Sequence, residues 1–200
     1  MSLPDSCRIR SAFIGEVAVS IRSSTDAPLV TRVRGAIRDV PDFPAPGILF
    51  RDVTPLLAAG SLFREVTVAM AAPFVETDVA YVVGIESRGF IFGAPVAQQL
   101  GAGFIPMRKK GKLPGPTVSR PYGLEYGTDE LEVQSGACAA GSRVLIVDDV
   151  LATGGTALVA AELVEAIGAS VVGFSFLAAL DALDGGRRLQ DYGIRTILRL

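Results

Sequence analysis

The chain has 200 residues and a formal net charge of −2, with a pI of about 5.2, which argues against a broad basic face for coating nucleic acid. Half of the residues are apolar and a fifth are charged, so the composition supports one globular domain with a substantial core rather than a disordered chain. There is no histidine, and Cys7 and Cys138 have no C-x-x-C partner; zinc ligation is disfavoured, and any general acid or base is a carboxylate, Lys, Tyr or Cys.

Residues 1–33 are weakly patterned. Glu16 and the charged flanks break up Ala12-Phe13-Ile14 and Val17-Ala18-Val19, which spoils a signal-peptide core. This stretch is set apart as an N-terminal extension without a function, and the domain is placed at 34–200. Ile37 to Gly47 carries Pro41, Pro44 and Pro46 and reads as a stiff loop. A short strand follows from Ile48 to Pro55. Ser61 to Glu76 fits a helix capped by Ser61, with Pro73 marking its end or a kink.

Ala80 to Ile85 is a buried strand running into Glu86-Ser87-Arg88-Gly89, then a helix from Phe90 to Leu100. Gly103 to Arg108 is a third strand. Arg108 to Thr117 is a basic loop flanked by Pro and Gly, of a kind that can close over a polyanion and exclude water. Tyr122 to Gly127 follows, and Leu131 to Gln134 returns as the strand that closes a β-hairpin.

Val144 to Val147 is an apolar run rich in β-branched residues, which suits a strand buried on both faces. Asp148 and Asp149 stand at its carboxyl end, where open α/β sheets bind ligands. Ala152-Thr153-Gly154-Gly155-Thr156 then turns into a helix whose apolar positions are Leu158, Val159, Leu163, Val164 and Ile167. A helix start presents unpartnered N–H groups and partial positive charge, and glycines let the backbone curl round an anion. The turn therefore suits a monophosphate. The two aspartates suit either the vicinal hydroxyls of a sugar or a hydrated Mg²⁺. Together they describe a ribose 5-phosphate site; neither the Walker pattern nor the dinucleotide fingerprint is present. Ser170 to Leu180 is a further buried strand, too short to span a bilayer. Asp181 to Tyr192 is a polar loop with a short helix, and Ile194 to Leu200 a closing edge strand.

Asp-Asp-x-x-Ala-Thr-Gly-Gly-Thr after an apolar strand resembles the phosphoribosyl pyrophosphate motif of the type I phosphoribosyltransferases, and most closely that of their adenine-using branch. The resemblance runs from about Arg34 to near the end. It implies an α/β fold: a mainly parallel twisted sheet flanked by helices, a small hood at 37–55 and a flexible β-hairpin loop. It implies the reaction of adenine with phosphoribosyl pyrophosphate to give AMP and pyrophosphate, with Mg²⁺ carried by substrate and water rather than by direct protein ligands.

Asp148, Asp149, Ala152, Thr153, Gly154, Gly155 and Thr156 would hold the ribose 5-phosphate part. Glu86, Ser87 and Arg88, with a cis Glu86–Ser87 peptide, would form the diphosphate loop. Lys112 would join them, and Arg108 would serve either the same site or the neighbouring subunit. Phe-Pro-x-Pro-Gly-x-x-Phe-Arg-Asp resembles the base-binding hood: Leu49 and Arg51 offer backbone groups to the N1 and N6 edge, and Ile48 or Leu49 stacks on the ring. Glu125, followed by Tyr126 on the hairpin loop, is the candidate for proton exchange at N7 or for positioning the base. Ala152 stands where 6-oxopurine enzymes carry an acid, which favours adenine. A homodimer in the cytoplasm is implied, with two free thiols in a reducing compartment and no membrane or nucleic-acid partner.

Overall fold

The structure is a computed structural model that describes residues 22–23, 27–124 and 127–200. Glu125 and Tyr126 lie outside the described residues.

The order of elements is β1 (Arg22–Ser23), α1 (Ala27–Ala36), β2 (Arg38–Val40), β3 (Phe50–Asp52), α2 (Thr54–Ala58), α3 (Gly60–Ala71), β4 (Tyr81–Ile85), α4 (Arg88–Leu100), β5 (Gly103–Lys109), β6 (Thr117–Leu124), β7 (Gly127–Gln134), β8 (Arg143–Leu151), α5 (Gly155–Ala166), β9 (Ser170–Ala179) and β10 (Ile194–Arg199). The main sheet runs β1-β10-β9-β8-β4-β5-β7-β6. The pairs β1–β10, β10–β9, β9–β8, β8–β4 and β4–β5 are parallel, and β5–β7 and β7–β6 are antiparallel. The two short strands β2 and β3 form a separate antiparallel ribbon, the hood, in the register Asp39↔Arg51.

Alternation along the central strands divides the core. Val83, Ile85, Val144, Ile146, Phe174 and Phe176 face the side covered by α5. Val82, Leu145, Val147 and Leu177 face the side covered by α1, α3 and α4. Strands buried on both faces need apolar residues at every position, hence the unbroken run from Val144 to Val147.

Several boundaries differ from those expected. α3 starts at Gly60 rather than at a Ser61 cap; Ala59 precedes it with no side-chain cap, because α2 leads straight into it and the Ala59 carbonyl accepts from Phe63 N–H at 2.9 Å. The helix stops at Ala71 and passes into a 3-10 turn at Ala72–Phe74, since Pro73 has no N–H with which to continue. Thr54 starts α2 rather than extending the strand before it. Thr117–Leu124 is a full strand, β6; its Pro121 is tolerated because β6 is the outermost strand. β10 is not the edge expected at the other end. β1 pairs with it, Arg22 opposite Arg195 and Ser23 opposite Thr196, and so uses the ladder positions that β10 leaves open. α1 crosses residues 33 and 34 and buries Leu29 and Val33 in the core.

Candidate active site

The carboxyl ends of β4 and β8 are adjacent, with Gly84 opposite Val147, so the loops that follow them share one cleft. Its volume is about 260 Å³, and Glu86, Ser87, Arg88, Tyr122, Phe176 and the run Asp148 to Ala157 line it. The sequence-predicted phosphate and diphosphate loops, 66 residues apart at Glu86 and Ala152 in the chain, meet here. Gly89 makes the approach possible: a Cβ on it would lie 2.8 Å from the Val147 carbonyl and 3.0 Å from Asp148 Oδ1. The peptide between Glu86 and Ser87 is cis, as the resemblance implied.

The Ala152–Thr156 turn leads into α5 at Gly155. Gly154 precedes the helix with φ +76°, a value that favours glycine, and no side chain caps α5. The first N–H groups of α5 are therefore available to a ligand in the cleft, which Gly155, Thr156 and Ala157 line.

The two aspartates are where charge is most costly. Asp149 is 3% exposed, and its N–H donates to Asp148 Oδ1 at 2.9 Å. Burial pushes the Asp148 carboxyl well above the usual range, and the neighbouring Asp149 charge adds to this. Burial raises Asp149 as well, against the pull of Arg88. Arg88 Nε forms an ion pair with Asp149 Oδ2 at 2.8 Å, yet Oδ2 accepts no hydrogen bond. The Arg88 guanidinium also stands 5.1 Å from the centre of the Phe50 ring, which ties the hood to the acid pair. Phe50 stands in the Phe-Pro-x-Pro-Gly-x-x-Phe-Arg-Asp motif, which by itself assigns it no role.

The basic loop is organised by two carboxylates. Glu86 takes an ion pair from Lys112 at 2.5 Å, another from Arg108 Nε at 3.3 Å and the Lys109 N–H at 2.9 Å. Burial alone would raise the Glu86 carboxyl, but hydrogen bonds from Lys112, Lys109 N–H and Arg108 bring it to about 2. Buried Glu132 accepts from the N–H groups of Lys112 at 3.0 Å and Leu113 at 2.9 Å. It too is held below the usual range, burial being outweighed by these backbone donors and that of Gly111. Glu132 escaped the sequence reading; a Glu between Leu131 and Val133 in a strand is the pattern that marks it. Lys112 and Arg108 thus stand beside the cleft, on Glu86, rather than in its lining.

On the hood, Ile48 and Leu49 are exposed, and neither lines the cleft. The side chain of Arg51 pairs with Asp39 across the ribbon. Glu125 lies outside the described residues, as does Tyr126. Among the described residues no group of three or more His, Cys, Asp or Glu side chains could hold a metal ion.

The phosphoribosyl transferase domain family matches residues 62–196, the part of this mainly parallel sheet that carries the glycine turn, the buried acid pair and the cation-flanked loop, and the chain is a phosphoribosyltransferase. The adenine phosphoribosyltransferase of Acaryochloris marina is 53% identical over 166 residues, covering 83% of this chain and 98% of its own. The crystal structure of the Rhodothermus marinus enzyme of the same name is 50% identical with a TM-score of 0.84, covering 88% of this chain and 100% of its own. That of Saccharomyces cerevisiae, complexed with an imino-altritol bisphosphate and adenine, is 41% identical with a TM-score of 0.79, covering 84% and 97%. The chain belongs to the adenine phosphoribosyltransferase family.

Proposed function

We propose that this chain carries out purine salvage: it makes AMP and pyrophosphate from adenine and phosphoribosyl pyrophosphate. The observation that carries the reading is the juxtaposition, in one cleft, of the Ala152–Thr156 cradle, the Asp148–Asp149 pair and Arg88. The cradle takes the 5-phosphate through backbone N–H groups and the hydroxyls of Thr153 and Thr156. The aspartates, which line the cleft beside the cradle, take the ribose hydroxyls. Arg88 and the Glu86–Ser87 turn face the diphosphate. As the C1–O bond to diphosphate breaks, the ribose becomes oxocarbenium-like and N9 of adenine attacks; binding fixes the geometry, and fixed charges stabilise the leaving group.

Lys112 reaches that leaving group by exchanging Glu86 for a diphosphate oxygen. Glu125 handles the base proton, because Ala152 cannot. Ile48, Leu49 and the backbone of Arg51 receive adenine. Mg²⁺ fits the two hard carboxylates as a hydrated ion and, when bound to the substrate, neutralises charge on the diphosphate. The cytoplasm as the compartment belongs to the same proposal, supported by a polyanionic substrate that does not cross membranes unaided. A homodimer, with Arg108 near the partner subunit, belongs to the same proposal.

The test is AMP formation from adenine, phosphoribosyl pyrophosphate and Mg²⁺, with hypoxanthine, guanine and orotate in parallel. Turnover confined to adenine is expected. Turnover with another base instead would overturn the specificity assignment. Tight substrate binding without turnover would point to a regulator rather than an enzyme.

A further inference from the structure

The segment between β9 and β10 contributes no side chain to the cleft, yet it touches the back of the phosphate cradle. It is pinned at its start, where Leu180 N–H donates to Leu151 O and Asp181 N–H donates to Leu200 O, both at 2.9 Å. It then passes through 3-10 turns at Asp181–Leu183 and Gly185–Leu189. Leu189 is buried in the core cluster that includes α5 residues Ala160 and Val164, and Tyr192 Oη donates to Glu165 Oε1 of α5 at 2.8 Å. Between these anchors Asp184, at φ +45°, turns the chain so that Gly185 is buried against the cradle.

The contact is backbone on backbone. A Cβ on Gly185 would lie 2.0 Å from the Ala152 carbonyl oxygen and 2.8 Å from Gly154 N. A Cβ on Gly154 would lie 2.3 Å from the Gly185 carbonyl oxygen. No flexible side chain is present to move aside. Restoring ordinary contact for a methyl group at 185 requires the 152–154 backbone to shift by about 1.4 Å.

We propose that Gly185 is a positioning residue for the 5-phosphate. Its bare backbone is the wall against which Ala152 to Gly155 curl, and it sets where the cradle's N–H groups point. This rests on the reading of that loop as the phosphate cradle. The diphosphate loop at Glu86–Arg88 has no such wall at Gly185, so the two halves of the substrate respond differently.

Gly185→Ala is the variant, and Gly193→Ala the control, since nothing lies within 4 Å of a Cβ at Gly193. Calorimetric titration with ribose 5-phosphate, and separately with inorganic pyrophosphate plus Mg²⁺, gives the readout. Gly185→Ala is expected to weaken ribose 5-phosphate roughly tenfold or more while pyrophosphate changes by less than about twofold. KM for phosphoribosyl pyrophosphate rises with it, and KM for adenine stays put. Unchanged ribose 5-phosphate affinity overturns the proposal, as does an equal loss of both ligands with a lowered melting temperature, which marks general destabilisation.

Amide hydrogen exchange on the unaltered chain gives an answer even where the variant fails to fold. Ribose 5-phosphate is expected to slow exchange at 184–189 as well as at 152–156. Protection at 152–156 alone overturns the role of Gly185. Protection at neither overturns the cradle reading itself, and the role of Gly185 with it.

Discussion

Glu86→Gln isolates the charge that gathers the basic loop. The carboxyl ionises at about 2 in the fold against an ordinary 4.5. The difference corresponds to roughly 3 kcal/mol of stabilisation. Its partners Lys112 and Arg108 are 45% and 34% exposed, so solvent screening trims this to about 2 kcal/mol. Because the folded value lies below the unfolded one, the contribution is complete above about pH 4.5 and is lost as pH falls toward 2. Urea unfolding of both proteins at pH 7 and pH 3.5 reads it out. The variant should lose about 2 kcal/mol at pH 7 and about 1 kcal/mol at pH 3.5, with unchanged m-values. A loss that is the same at both pH values would refute the electrostatic account and leave only packing.

Arg88→Ala removes the cation beside buried Asp149 and should cost about 1–3 kcal/mol at pH 7. Asp149 already sits above the ordinary carboxylate value and would rise further without Arg88, so the cost is absent while Asp149 is protonated and grows as pH climbs through its raised native value. An equal cost at pH 4.5 and pH 7 would assign the effect to the Phe50 contact instead. Glu132→Ala strips the acceptor from the Lys112 and Leu113 N–H groups; pyrophosphate affinity should fall, with Glu132→Gln recovering most of it because an amide oxygen still accepts. Wild-type affinity in the Ala variant, by calorimetry, would remove Glu132 from the account of Lys112. Gly89→Ala places a methyl group against Val147 O and Asp148 Oδ1 and should cost about 1–3 kcal/mol together with substrate affinity, as thermal melts and KM would record.

What was legible in the sequence is what is local in the chain. Strand β8, the acid pair, the glycine turn and α5 are contiguous, so an apolar run followed by Gly at a helix start reads directly. The turn after β4 was legible because the same strand-turn-helix order repeats there, but α4 begins at Arg88, two residues before the helix start expected at Phe90. What stayed hidden arises across distance. Arg88 meets Asp149 and Phe50 only once β4 lies beside β8 and the hood folds over both. Glu132 needs the register that sets it opposite Arg108. β6 was passed over because Pro121 and Arg120 interrupt its apolar pattern, which an edge strand permits. Nothing in Asp184-Gly185-Gly186 announces backbone packing against a loop some thirty residues earlier.

The cleft around the acid pair is where we propose that the pentosyl transfer takes place. Paired measurement of AMP and pyrophosphate from adenine and phosphoribosyl pyrophosphate, in the wild type and in Asp148→Asn/Asp149→Asn, tests it most directly. The wild type should release the two products in equal amounts. The double variant should remain folded, since neutral amides avoid the cost of burying charge that raises both carboxyls, and should lose turnover by about a hundredfold or more. Wild-type turnover in the folded double variant, or no AMP from the wild type, would contradict the claim.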